Sequence, residues 1–141
     1  MIGVEHALNM IVSGSVVPAK QFQGTPLLDE IIEGDLMEGA LAFARKVVAE
    51  KMPLKKVRDL KVKHPNPEGF FMFARNTIGA MAKNYPAPLK CLEAVEASVK
   101  KPFDEGMKVE REGIKQLMQT PESAALRHAF FAERMTSKIS D

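Results

Sequence analysis

Helix start and stop signals crowd the second half of this chain so closely that they leave room for little except helices stacked on one another. Asn66-Pro67-Glu68 opens one segment that closes at Tyr85-Pro86, Pro88 opens the next, Pro102 a third, and Thr120-Pro121-Glu122 a fourth. Asparagine and threonine side chains accept from free N–H groups at a helix start, proline suits the first helical turn, and an acid there favours the positive end. Only one to a few residues separate successive segments. Connections that short predict a compact stack of antiparallel or steeply crossed helices.

The apolar spacing within these segments agrees. Phe70, Ala74, Ile78 and Met81 line one side of the first, Leu89, Leu92, Val95 and Val99 the second, and Phe103, Met107, Ile114 and Leu117 the third. Such three- and four-residue intervals place side chains on one helical face. In the fourth, Leu126 and Phe130 share a face while Arg127 and Arg134 reach outward. Phe70, Phe71 and Phe73 together point around more than half of their helix, which predicts deep burial or a second subunit. Glu96 and Lys100 have the four-residue spacing of a surface ion pair.

The first half is less regular. Val4 to Val12 reads as a helix stopped by Gly14, and Pro18 to Phe22 as one or two further turns. Leu27 to Ile32 is the only strand-like run. Asp35 and Glu38 form a capping box for a helix with Leu36, Ala40, Phe43 and Val47 as its buried stripe, ended by Pro53. Leu54 to His64 reads as a loop holding a short strand or turn. The expected class is therefore mostly α, with at most one or two short strands.

Composition excludes several functions. With 141 residues the chain suffices for one domain, and its net charge of +2 gives no general reason to bind nucleic acid. No apolar run approaches a membrane span, and no signal-peptide pattern opens the chain. The single Cys91 cannot form an internal disulfide, and a reducing compartment, such as a bacterial cytoplasm, fits it.

Individual residues carry little recognisable chemistry. Neither a Gly-x-Gly-x-x-Gly nor a phosphate-binding loop is present. His6, His64 and His128 are far apart and lack partners at metal-ligand spacing, so no metal is expected. Cys91 reads as a quiet helix thiol. Arg45 to Lys63 is strongly basic and could meet phosphates of a nucleotide-bearing ligand or nucleic acid, but it contains no aromatic for base stacking, and a solvated surface is the default reading. Glu110 falls inside an apolar stripe; a buried carboxylate needs a cation, and Arg127 or Arg134 of the following helix is the expected one.

Several segments together resemble the second half of a crotonase-superfamily (enoyl-CoA hydratase/isomerase) domain. Gly3-Val4-Glu5-His6-Ala7-Leu8-Asn9-Met10-Ile11-Val12-Ser13-Gly14 is similar to the family's Gly-x-x-x-Ala-x-x-(Leu/Met)-(Ile/Leu)-x-(Ser/Thr)-Gly helix. Leu27-Leu28-Asp29-Glu30-Ile31 resembles the Gly-Leu-Val-Asp-x-(Ile/Val) segment that follows it. The ending Thr120 to Arg134 is particularly similar to multifunctional fatty-acid oxidation enzymes, where a hydratase domain precedes a 3-hydroxyacyl-CoA dehydrogenase domain.

The resemblance implies that residues 1–34 end the crotonase spiral core and residues 35–141 form its C-terminal helical region. The family's thioester-polarising amides and catalytic glutamates belong to the earlier half of the domain, so no catalytic residue is expected here. The chain is expected to be a fragment that is inactive alone, with helices supplying packing and homo-oligomer contacts. The resemblance implies no resident cofactor. The intact parent would act on an acyl-CoA, and the family places a phenylalanine and a lysine of the last helix near the CoA adenine. Phe130 matches the phenylalanine; Glu133 stands where the lysine would be, leaving Arg134 as the substitute cation. The competing expectation is a stand-alone helical protein-interaction module without catalysis.

Overall fold

The computed structural model describes residues 1–138. Six α-helices run in the order α1 (Val4–Ser13), α2 (Leu36–Ala49), α3 (Pro67–Met81), α4 (Ala87–Lys100), α5 (Phe103–Met118) and α6 (Pro121–Thr136), with no strand among the described residues. Single 3-10 turns lie at Ala19–Phe22 and Val57–Asp59.

The punctuation acts as the sequence requires. Asn66 accepts from the Gly69 N–H at 3.1 Å and Thr120 from the Ser123 N–H at 3.2 Å. Asp35 accepts from the Glu38 N–H at 2.8 Å. Gly14 ends α1 in the left-handed conformation, φ 64°, with its N–H bonded to Met10 O. Glycine reaches that region without the Cβ penalty other residues meet.

Helix α4 is the centre of the molecule. It packs against α1, α3 and α5, and its Leu92 is completely buried. Val4 and Leu8 of α1, Phe71 and Ala74 of α3, and Leu92 and Val95 of α4 form the continuous core. Val12, Phe70, Ile78, Leu89 and Val99 pack around it. Arg75 of α3 donates to Glu96 of α4 at 2.8 Å, adding a polar clasp beside the apolar seam. On α5, the side turned to α4 runs through Gly106 and Gly113: a Cβ at Gly106 would lie 3.8 Å from Ala97 O, and one at Gly113 3.9 Å from Lys90 Cδ. Small residues there let the two helices approach closely.

Several expectations change on folding. Leu27 to Ile32 is irregular rather than a strand, since an extended segment needs a neighbouring strand for its backbone groups and none lies beside it. Helix α2 stops at Ala49, before Pro53, because Lys51 turns to φ 51°. Its expected stripe is not buried: Leu36 and Ala40 are exposed, while Phe43 and Val47 are half-buried. What α2 meets is the Ile31–Ile32 segment, whose Ile32 side chain lies directly over Gly39. On α3 the expected side does face inward at Ala74, with Phe70 and Ile78 half-buried against the core, but Phe71 is buried as well, 2 % exposed, and Met81 is 74 % exposed. On α5, Phe103, Met107 and Ile114 are exposed, and Leu117 alone of that line is half-buried. A crowded helix selects its inward side by fit, and on α5 the glycine side fits α4 better than the bulky one.

Leu92→Ala is expected to lower unfolding free energy by about 2–5 kcal/mol, whereas Leu126→Ala on exposed α6 should change it by less than about 0.5 kcal/mol. Urea denaturation followed by circular dichroism measures both; equal effects would contradict a core centred on α4. At Gly79, mid-helix on α3, a Cβ would meet nothing within 4 Å. Gly79→Ala should therefore stabilise by about 0.5–1 kcal/mol through helix propensity, read as a rise in the same midpoint.

Candidate functional site

Helix α6 carries the two residues with an expected ligand role. Thr120 fixes its start twice, donating its hydroxyl to Leu117 O at 2.8 Å while accepting from Ser123 N–H. Phe130 and Arg134 then lie one turn apart, and the Arg134 guanidinium carbon sits 5.3 Å from the Phe130 ring centroid. Phe131 meets the Phe130 edge at 5.4 Å in a T-shaped pair. Phe130 is 51 % exposed, and Arg134 is exposed as well. An accessible aromatic face with a cation held against it has the chemistry to stack a nucleobase and meet a nearby phosphate. Glu133 is also exposed and lies between them in sequence, adding a negative charge near that face.

The other candidates are placed as follows. Cys91 is half-buried on α4, and burial pushes its thiol pKa up, which disfavours the reactive thiolate. Among the described residues no group of three or more His, Cys, Asp or Glu side chains is arranged to hold a metal ion. His6 meets the Phe22 ring edge-on at 5.8 Å. His128 is exposed on α6.

His64 has the fullest set of contacts. It stacks obliquely on Phe70 at 4.8 Å, accepts from the Asn66 N–H at Nδ1 (3.2 Å), and places Nε2 3.3 Å from the Glu5 carboxylate. With Nδ1 accepting, the ring proton of the neutral imidazole belongs on Nε2, pointing at Glu5. An open cleft of about 480 Å³ beside this pair is lined by Gly3, His6, Asn9 and Lys63.

The basic segment is exposed from Lys51 to Lys63, yet it is pinned at two points. Lys55 pairs with Asp29. Arg58 donates to Asp104 at 2.7 Å and lies 5.2 Å from the Phe103 ring centroid at the start of α5. Sequence spacing gave no sign of either contact, since each joins residues more than twenty positions apart.

Glu110 departs from expectation. It is exposed, and among the described residues it forms no ion pair. Arg127 instead reaches Ser123 Oγ and Met118 O, and Arg134 lies on Phe130. Because Met107 and Ile114 turn outward, the stripe they define is wet, so a carboxylate within it needs no buried partner. The networked carboxylate is Glu96, which receives Lys100 at 2.7 Å and Arg75 at 2.8 Å. The hydrogen bond from Lys100, followed by the attraction of both cations, outweighs partial burial and holds its carboxyl below the usual glutamate range.

Comparison with known proteins now bears on these surfaces. No protein-family model matches the chain. It is 32 % identical to the peroxisomal bifunctional enzyme of Cavia porcellus over 99 % of its length, and 31 % identical to that of Homo sapiens over 99 %. It is 34 % identical to the fatty acid oxidation complex subunit alpha of Shewanella amazonensis over 94 % of its length. The chain is homologous to one region of these enzymes. It spans only 19–20 % of each relative's own length. The match runs through α1, the Leu27–Ile31 segment and the C-terminal helices, and it fits the crotonase-superfamily resemblance carried by the opening and closing segments. No described helix is long and apolar enough to cross a membrane.

The depressed Glu96 pKa sets a pH dependence with a definite sign. Its ion pairs contribute stability above the unfolded glutamate value of 4.5, and that contribution is lost as pH falls through the lower folded value. Glu96→Gln should destabilise the chain near pH 7 and shrink the difference from the parent chain progressively below pH 4.5. Thermal melts across that range check it; a difference independent of pH would contradict the ion-pair account.

Proposed function

We propose that these residues form the helical region of an enoyl-CoA hydratase/isomerase domain within a bifunctional fatty-acid oxidation enzyme. The observation that carries this reading is identity of 31–34 % to such enzymes across nearly the whole chain. Residues 1–34 then correspond to the end of the spiral core, and residues 35–141 to the helical region that packs over it. The parent would add water to a 2-enoyl-CoA, with coenzyme A as the carrier of its substrate, in the bacterial cytoplasm or another reducing compartment. The share supplied by this region is packing, subunit contact and one contribution to the nucleotide end of the substrate.

The surface supports each share. Phe73 is 70 % exposed, Phe131 60 % and Leu36 70 %, so α2, α3 and α6 all present apolar side chains suited to covering by protein. Phe130 and Arg134 form the aromatic-plus-cation pair that an adenine nucleotide would use. Catalysis is assigned to parts of the parent outside these residues, and the chain alone is inactive in this reading. The same exposed apolar side chains also suit a helical interaction module, for which a heterologous partner would replace the parent domain.

Three measurements separate these readings. The isolated chain should show no hydration of crotonyl-CoA above the uncatalysed rate in a spectrophotometric assay, and turnover would overturn the proposal. Titration of coenzyme A into the isotopically labelled chain should move backbone resonances around Phe130 and Arg134, with Phe130→Ala weakening the response by about 1–3 kcal/mol, the scale of base–aromatic stacking. Shifts confined to other helices would remove the nucleotide contact. Light scattering should show mass rising with concentration; a monomer at all concentrations would count against subunit contact through these faces.

A further inference from the structure

Helix α6 holds its place with almost no apolar help. None of its residues is buried, its packing against α5 is slight, and Leu126, Phe130, Phe131 and Met135 are all exposed. A helix attached in that way would swing about its connection unless something fixed the joint. The polar contacts at the α5–α6 elbow are the candidates.

Met118, the last residue of α5, leaves a carbonyl without a partner inside its own helix. Arg127, seven residues into α6, reaches back over the elbow with both terminal nitrogens 3.4 Å from Met118 O. The same guanidinium donates to Ser123 Oγ at 2.7 Å, which fixes its rotamer along α6. Ser123 in turn offers its N–H to Thr120, whose hydroxyl donates to Leu117 O. The cation also faces the negative end of the α5 dipole, a favourable arrangement. Of these contacts, only that of Arg127 spans from the body of α6 to the end of α5; the Thr120 bonds lie within the turn itself.

We infer that Arg127 is a positioning residue: its guanidinium locks the α5–α6 elbow and thereby sets the direction in which α6 presents Phe130 and Arg134. Loss of the guanidinium converts a fixed joint into a hinge while leaving α6 helical and the α4-centred core intact. The consequence for nucleotide contact rests on the reading above; the joint itself does not.

The test uses paired spin labels at Lys108→Cys on α5 and Ala132→Cys on α6 in a Cys91→Ser background, with distances measured by pulsed electron resonance. Both labelled positions are exposed. With Arg127 present, one narrow distance maximum is expected. Arg127→Ala should replace it with a broad distribution, and Arg127→Lys, which keeps a donor and the charge, should restore part of the narrow component. Far-UV dichroism and the cooperative melt should be unchanged in each. Should Arg127→Ala lose its cooperative melt, Arg127→Lys and Ser123→Ala carry the test, both being expected to broaden the maximum less. A distribution as narrow in these variants as with Arg127 intact, or one already broad with Arg127 intact, overturns the inference. No outcome depends on nucleotide binding, so failure of the nucleotide contact leaves the joint intact and failure of the joint leaves the contact to its own titration.

Discussion

Burial of Leu92 is the constraint on which the rest of the structure depends. It sits in the apolar core that α1 and α3 form against α4, the helix on which α5 also packs, so each of those helices is held by what it packs against rather than by its own propensity. Short helices are marginal in water when isolated, and tertiary contact supplies most of their stability. Distance from this point orders the molecule. Helices α1, α3 and α4 contribute the buried residues of the core; α5, α6 and α2 bury no residue at all, although α5 is attached to α4 along its small-residue side.

That gradient matches the division of chemistry. The core helices hold apolar contacts and one interhelical ion-pair cluster around Glu96, which is consistent with a purely supporting task. Phe130 and Arg134, the side chains with chemistry for an outside ligand, sit on loosely attached α6, while exposed phenylalanines and methionines occur on α2, α3, α5 and α6. Under the proposed function, such loosely attached elements would meet other domains and the distal end of the substrate. Attachment by polar joints rather than by buried area also makes their orientation sensitive to single residues, as at Arg127.

The basic segment shows how folding alters a sequence-level impression. As a run of cations it resembles a polyanion site, but Lys55 and Arg58 are occupied by Asp29 and Asp104, and Arg58 also lies against Phe103. Two of its charges therefore serve to hold the long connection between α2 and α3 to the body. The remainder face water, where a cation costs nothing to keep.

Local chemistry in the sequence determined the helices and their ends. Asn66, Thr120 and Asp35 cap through their own side chains, Gly14 supplies a left-handed stop, and the prolines forbid continuation, all without reference to distant residues. Kinship with fatty-acid oxidation enzymes was legible too, because the motifs at Gly3–Gly14 and Thr120–Arg134 are contiguous. Which side of each helix turns inward was decided only in three dimensions: α3 buries Phe71 rather than pointing Met81 inward, and α5 offers its glycines to α4 and leaves Met107 and Ile114 wet. Likewise, among the described residues, Glu110 forms no ion pair, Leu27–Ile32 finds no strand to join, and Arg127 turns to a carbonyl instead of a carboxylate. Periodicity fixes which residues share a face, but the choice among competing faces depends on the shape of the neighbour, and no single helix contains that information.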